Sequence, residues 1–130
     1  MICQYCNKEA IIVTGDIIYP HRKDLMHLNF WLCRPCSAYV GCHGSTEEPL
    51  GTLAKDELRE LRRKTHQAVD WIWKDGHKKR TETYRWLAKA LSISFKDCHI
   101  AKFDNNMCLK TIKIADDFLD SLPWPVQILS

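Results

Sequence analysis

From about Thr52 onward, Leu58, Leu61, Thr65, Val69 and Ile72 recur every three or four residues. That period predicts one long amphipathic helix over about 54–74. Asp75-Gly76 stops it, and Lys74 suits the negative C-terminal end of its dipole. A second helix starts near Thr81, with Tyr84, Leu87, Ala88 and Leu91 on one face. Ser94-Phe95-Lys96-Asp97 resembles a shortened capping box opening a brief turn. Asp104 is the candidate N-cap of a last helix carrying Cys108, Ile112, Ala115, Phe118, Leu119 and Leu122, which Pro123-Trp124-Pro125 ends.

Residues 1–43 follow a different pattern. Glu9–Val13 and Asp16–Tyr19 are short β-branched runs on either side of Thr14-Gly15, which reads as a β-hairpin closed by Pro20. Asn29–Cys33 and Ala38–Val40 are further strand candidates. Gly41 to Gly51 is a loop and the boundary between the two patterns. The expected fold class is α+β: a zinc-ribbon-like β-rich module at 1–50 packed on a three-helix part at 52–122. An apolar tail at 123–130 completes one domain of 130 residues. A treble clef, with a helix starting at the second cysteine pair, is the alternative. Ser37–Gly41 reads as strand and argues against it.

Composition adds one outlier. Hydrophobic residues make up 45% and charged residues 27%, an ordinary globular mix, but seven of the 130 residues are cysteine. No apolar run reaches the ~18 residues of a membrane span, and the start carries no secretory signal. A cytoplasmic protein is therefore expected, and cysteines in that compartment more often hold metal than form disulfides.

Cys3-x-x-Cys6 and Cys33-x-x-Cys36 carry the chemistry. Two intervening residues let a tight turn aim both thiolates at one ion. Asn7, just after the first pair, tolerates the left-handed backbone such turns favour. Four thiolates describe structural zinc with no open position for catalysis. Iron in the same cage, buried free cysteines and a redox pair are the alternatives. His21, Cys42 and His43 are candidates for a second site, and with Asp24 for metal-assisted hydrolysis. The plainer reading is histidines that orient loops. Cys98-His99 and Cys108 read as core residues or part of a further site.

Charge is uneven. Residues 59–89 hold ten basic and four acidic groups, a net +6 in a chain whose formal net charge is +3. Arg59, Arg62, Arg63, Lys78, Lys79 and Arg80 are the candidate phosphate contacts, and Trp71, Trp73 and Trp86 could stack on bases. The competing reading is a solvated helix face with its tryptophans in the core.

The string Cys3-Gln4-Tyr5-Cys6, Tyr19-Pro20-His21-Arg22, Asn29-Phe30-Trp31-Leu32-Cys33-Arg34-Pro35-Cys36 and Ala38-Tyr39-Val40-Gly41-Cys42-His43 resembles the zinc-finger-containing domain family of unknown function found in phages and bacteria. Pro49–Ala54, Leu58-Arg59, His66, Trp73-Lys74, Tyr84–Ala88, Cys98-His99-Ile100, Phe103-Asp104 and Cys108 continue it. The resemblance implies zinc on the four paired cysteines and one continuous domain, and it implies no activity. It departs at Asn7, where such turns usually carry Gly, and at Lys102-Phe103, where the pattern is more apolar. The expected function is a small zinc protein that binds DNA or RNA through its helical half. The alternatives are a module that docks on a protein through 122–129, an inhibitor of a host protein, and a metal-assisted nuclease. With no open zinc position and no legible nucleophile–base pair, the balance leans away from an enzyme.

Overall fold

The β-branched residues after Ala10 form strand β1 (Ile11–Thr14) in a computed structural model of the chain, which describes residues 1–123. β1 pairs antiparallel with β2 (Asn29–Cys33), and β2 with β3 (Ala38–Gly41), giving the sheet order β1-β2-β3. The register sets Ile11 opposite Leu32 and Cys33 opposite Ala38, so the β2–β3 turn is the second cysteine turn itself. Residues paired across the strands share a face, so the buried Cys33, Ala38 and Val40 lie on one side of the sheet and the buried Phe30 and Leu32 on the other. Cys3, Ala10, Cys33, Ala38, Val40 and Leu53 form the core of this part.

One expected strand is absent. Asp16–Tyr19 is not the second arm of a hairpin: Gly15–Ile18 is a single helical turn, α1. Gly15 is buried and its N–H donates to the Leu28 carbonyl at 2.9 Å. A Cβ on Gly15 would lie 1.8 Å from the Leu25 carbonyl oxygen, so the backbones meet there and the chain turns away from the sheet. The partner of β1 is instead the distant β2.

The helices follow the expected periods. They are α2 (Asp56–Lys74), α3 (Arg80–Leu91) and α4 (Asn105–Asp120). Asp104 caps α4, its carboxylate accepting from the Met107 N–H at 2.8 Å. Ser94 accepts from the Asp97 N–H and opens a short 3-10 turn. Ser92 ends α3 at φ 58°, with the Ile93 N–H donating to the Ala88 carbonyl at 3.0 Å.

Two compact units result, Met1–Arg59 and the residues from Glu60 onward. The second unit centres on Val69, Ile72, Leu87, Ile100, Phe103 and Ala115. Three buried threonines share its interior, each satisfied within its own helix. Thr65, Thr83 and Thr111 donate to the carbonyls of Leu61, Lys79 and Met107 at 2.7, 2.9 and 2.7 Å. That explains how Thr65 sits on an otherwise apolar stripe. No described helix is long and apolar enough to cross a membrane.

Candidate metal centre

Each cysteine pair sits on a tight turn closed by backbone bonds. Around the first, Cys3 N–H donates to the Lys8 carbonyl and Asn7 N–H to the Cys3 carbonyl, both at 2.8 Å. Around the second, Ser37 N–H donates to the Arg34 carbonyl at 3.2 Å. Asn7 adopts φ 61°, and Ser37, at the matching place after Cys36, adopts φ 52°. Ser37 is the partner of Asn7 that residue type alone does not reveal; its position one residue beyond Cys36 does.

The sulfurs of Cys3, Cys6, Cys33 and Cys36 lie within 4.8 Å of one another, with Cys6 and Cys33 3.6 Å apart. A tetrahedron with ~2.3 Å metal–sulfur bonds has edges of about 3.8 Å, so the donor set fits a metal ion of that size. The 3.6 Å separation is far beyond a disulfide bond. Cys3 and Cys33 are buried, while Cys6 and Cys36 are half-buried.

Protonation of the cluster is uneven. The Lys8 N–H beside its sulfur holds the Cys6 thiol down to about 7. Burial, joined by the neighbouring sulfurs, pushes Cys36 up to about 12. At Cys33 the Cys36 N–H lowers the thiol, but burial and the Cys6 and Cys3 sulfurs outweigh it and the net direction is up. Crowded thiols that resist ionising together gain most from a cation that replaces their protons.

The second-site candidates do not converge. Among the described residues, the four cysteines are the one group of three or more His, Cys, Asp or Glu placed to share an ion. Cys42 is buried, its N–H donates to the Asn29 carbonyl at 3.1 Å, and burial raises its thiol. His43 is exposed in a turn where its carbonyl accepts from Thr46. His21 is exposed, and Asp24 is engaged by Arg22 through two bonds at 2.9 and 2.7 Å. Cys98 and Cys108 are core residues whose thiols burial pushes up, Cys98 to about 11.

The basic candidates divide. Arg62 is buried, and its Nε donates to the Phe103 carbonyl at 3.0 Å. Arg59 belongs to the first unit and stacks on Tyr39 at 3.7 Å. Arg63 is exposed and pairs with Glu60. Lys79 and Arg80 are exposed at the start of α3, and the Arg80 guanidinium lies 5.6 Å from both the Trp73 and Tyr84 rings. Lys78 lies 5.5 Å from the Trp86 and Phe118 rings. The tryptophans are half-buried: Trp71 and Trp86 pack on Phe118 at 5.9 and 5.3 Å, and Trp73 Nε1 donates to Asp70 at 3.2 Å. Asp70 also accepts from the Tyr84 hydroxyl at 3.2 Å and faces His66 Nδ1 at 3.4 Å. Sequence reading missed this hub, whose only trace is the i,i+4 spacing of His66 and Asp70. Most of the apolar tail, from Trp124, lies outside the described residues.

A three-stranded antiparallel sheet that gathers two cysteine turns onto one point, followed by helices, is a cysteine-cluster metal-binding module in an α+β setting. The chain belongs to the zinc-finger-containing domain family, whose model matches residues 1–118. No curated protein and no solved structure matches it.

Proposed function

We propose that Cys3, Cys6, Cys33 and Cys36 hold one zinc ion that maintains the first unit, and that the second unit binds nucleic acid through Arg63, Lys78, Lys79 and Arg80. The convergence of four sulfurs within 4.8 Å carries the zinc half of the reading. All four positions of a tetrahedral ion are then filled, so the zinc is structural rather than catalytic. Elemental analysis of protein purified without added metal tests it. One zinc per chain is expected, and a folded, metal-free chain would overturn it.

The nucleic-acid half rests on the exposed run Lys79-Arg80 next to Lys78, with the Arg80 guanidinium against two aromatic rings. Such arginines can meet phosphate while neighbouring rings meet bases. Arg62 is left out of the contact set because its guanidinium is turned inward. Binding of short DNA and RNA strands, titrated against salt, is the test. Affinity should fall steeply with salt, and replacing Lys79 or Arg80 by Ala should lower the log–log slope by about one each. Salt-independent capture of a protein, abolished by deletion after Pro123, would favour docking through the tail instead. Strand cleavage that His43→Ala abolishes would favour the nuclease alternative.

A further inference from the structure

We propose that a cleft of about 390 Å³ in the first unit takes one nucleotide of a single-stranded nucleic acid, its phosphate held by Arg34. This deepens the nucleic-acid reading and takes the class of ligand from it. The cleft lies between α1, the second cysteine turn and the start of α2. Ile17, Ile18 and Leu32 supply its apolar lining, and Ile17 is left 48% exposed there. Arg34 and Ser37, from the Cys33–Cys36 turn and the residue after it, supply a guanidinium and a hydroxyl. Arg34 is exposed, and its guanidinium has no ion-pair or hydrogen-bond partner among the described residues.

The second cation, Arg59, is fixed in advance. Its guanidinium stacks on Tyr39, donates to the Ala54 carbonyl and pairs with Asp56. A guanidinium has five N–H donors, so two engaged nitrogens leave capacity for a ligand oxygen. The Asp56 side chain is 95% exposed, and an exposed carboxylate holds its partner weakly against a competing phosphate.

The lining selects the ligand class. A simple anion would leave the isoleucines uncovered, and a purely apolar ligand would leave Arg34 without a counter-charge. A nucleotide brings both a flat base face and a phosphate, and the volume is within the usual range of small-ligand sites. A base can enter only when it is unstacked, and a single strand offers such a base without the cost of opening a duplex.

The test uses the full zinc-loaded chain with nucleoside 5′-monophosphates, inorganic phosphate, and short single- and double-stranded oligonucleotides as probes. In NMR titrations, nucleotides should move the methyl signals of Ile17, Ile18 and Leu32 together with the Arg34 side chain. Arg34→Ala, with zinc content and circular dichroism unchanged, should lower the ratio of single- to double-strand affinity about tenfold. The proposal is overturned if inorganic phosphate reproduces every shift, or if nucleotides leave the methyls unmoved. It is also overturned if Arg34→Ala has no effect while Lys79→Ala weakens binding, a result that preserves the second-unit reading. If no oligonucleotide binds, the cleft proposal falls together with the second-unit reading.

Discussion

Arg62 and Lys79 belong to one basic stretch, yet their surroundings give them opposite work. Arg62 is buried with its Nε on the Phe103 carbonyl, whereas Lys79 is exposed where α3 begins. Arg62→Ala removes the donor and leaves a buried carbonyl short of a partner, which costs about 1–3 kcal/mol. We expect urea denaturation to register that loss, with oligonucleotide affinity unchanged wherever the variant is folded. Lys79→Ala should do the reverse. Tyrosines separate by environment in the same way. Burial, then the Tyr19 hydroxyl 2.8 Å away, pushes Tyr39 up to about 12. Burial and Asp70 raise Tyr84 as well. Both favour the neutral phenol in the folded chain. Their stabilising contribution is complete below the ordinary tyrosine value near 10 and is lost as pH rises through the folded values. Tyrosinate absorbance should therefore show late-ionising groups in the folded protein. Tyr39→Phe should remove one of them, and denaturant should abolish the delay.

At the level of elements, sequence legibility followed the range of the interactions involved. The three helices were readable because 3.6-residue periodicity, the Asp104 cap and the Gly76 stop are local signals. β2 and β3 were readable because their alternation is local and the cysteine turn joins them. Gly15–Ile18 was not. Isoleucines favour strands, but the buried approach of Gly15 to Leu25 depends on a residue ten positions away, and that tertiary contact overrode propensity. Of the candidate site, the clustering of the four cysteines and the left-handed Asn7 were legible from spacing, whereas the inward turn of Arg62 and the Asp70 hub depend on partners in other elements. The first unit's strands are four or five residues long, and its compact cluster of buried residues includes two of the cysteines themselves. So small a core needs a staple. Removing zinc with a chelator should collapse the dispersed NMR signals of residues 1–54, while helical circular dichroism from α3 and α4 persists. Cys36→Ala should behave like the chelator. Retained dispersion after complete zinc loss would mean that the sheet holds without metal.

Across the whole molecule, charge is segregated along the sequence, and metal loading sharpens the segregation. Residues 59–89 carry a net +6 within a chain of +3, so the remainder is net negative even with neutral thiols. Zinc brings two positive charges and requires four thiolates, making the cysteine cluster −2 and lowering the chain's formal charge by two. The basic stretch is unaffected, so under the proposed nucleic-acid reading the loaded protein would draw an anionic strand towards 59–89 rather than attract it uniformly. The same exchange can be counted. Free thiols ionise near 8.5, so at pH 7 the metal-free cluster is mostly protonated and zinc must displace most of those protons. Zinc added to the metal-free protein at pH 7 in weak buffer should release between three and four protons per ion. That number should fall as pH rises through the thiol range, because the thiols are then already ionised. A release near two at pH 7, unchanged at pH 9, would show that only part of the cluster binds through sulfur. The four-thiolate assignment would then fail, together with the charge separation that follows from it.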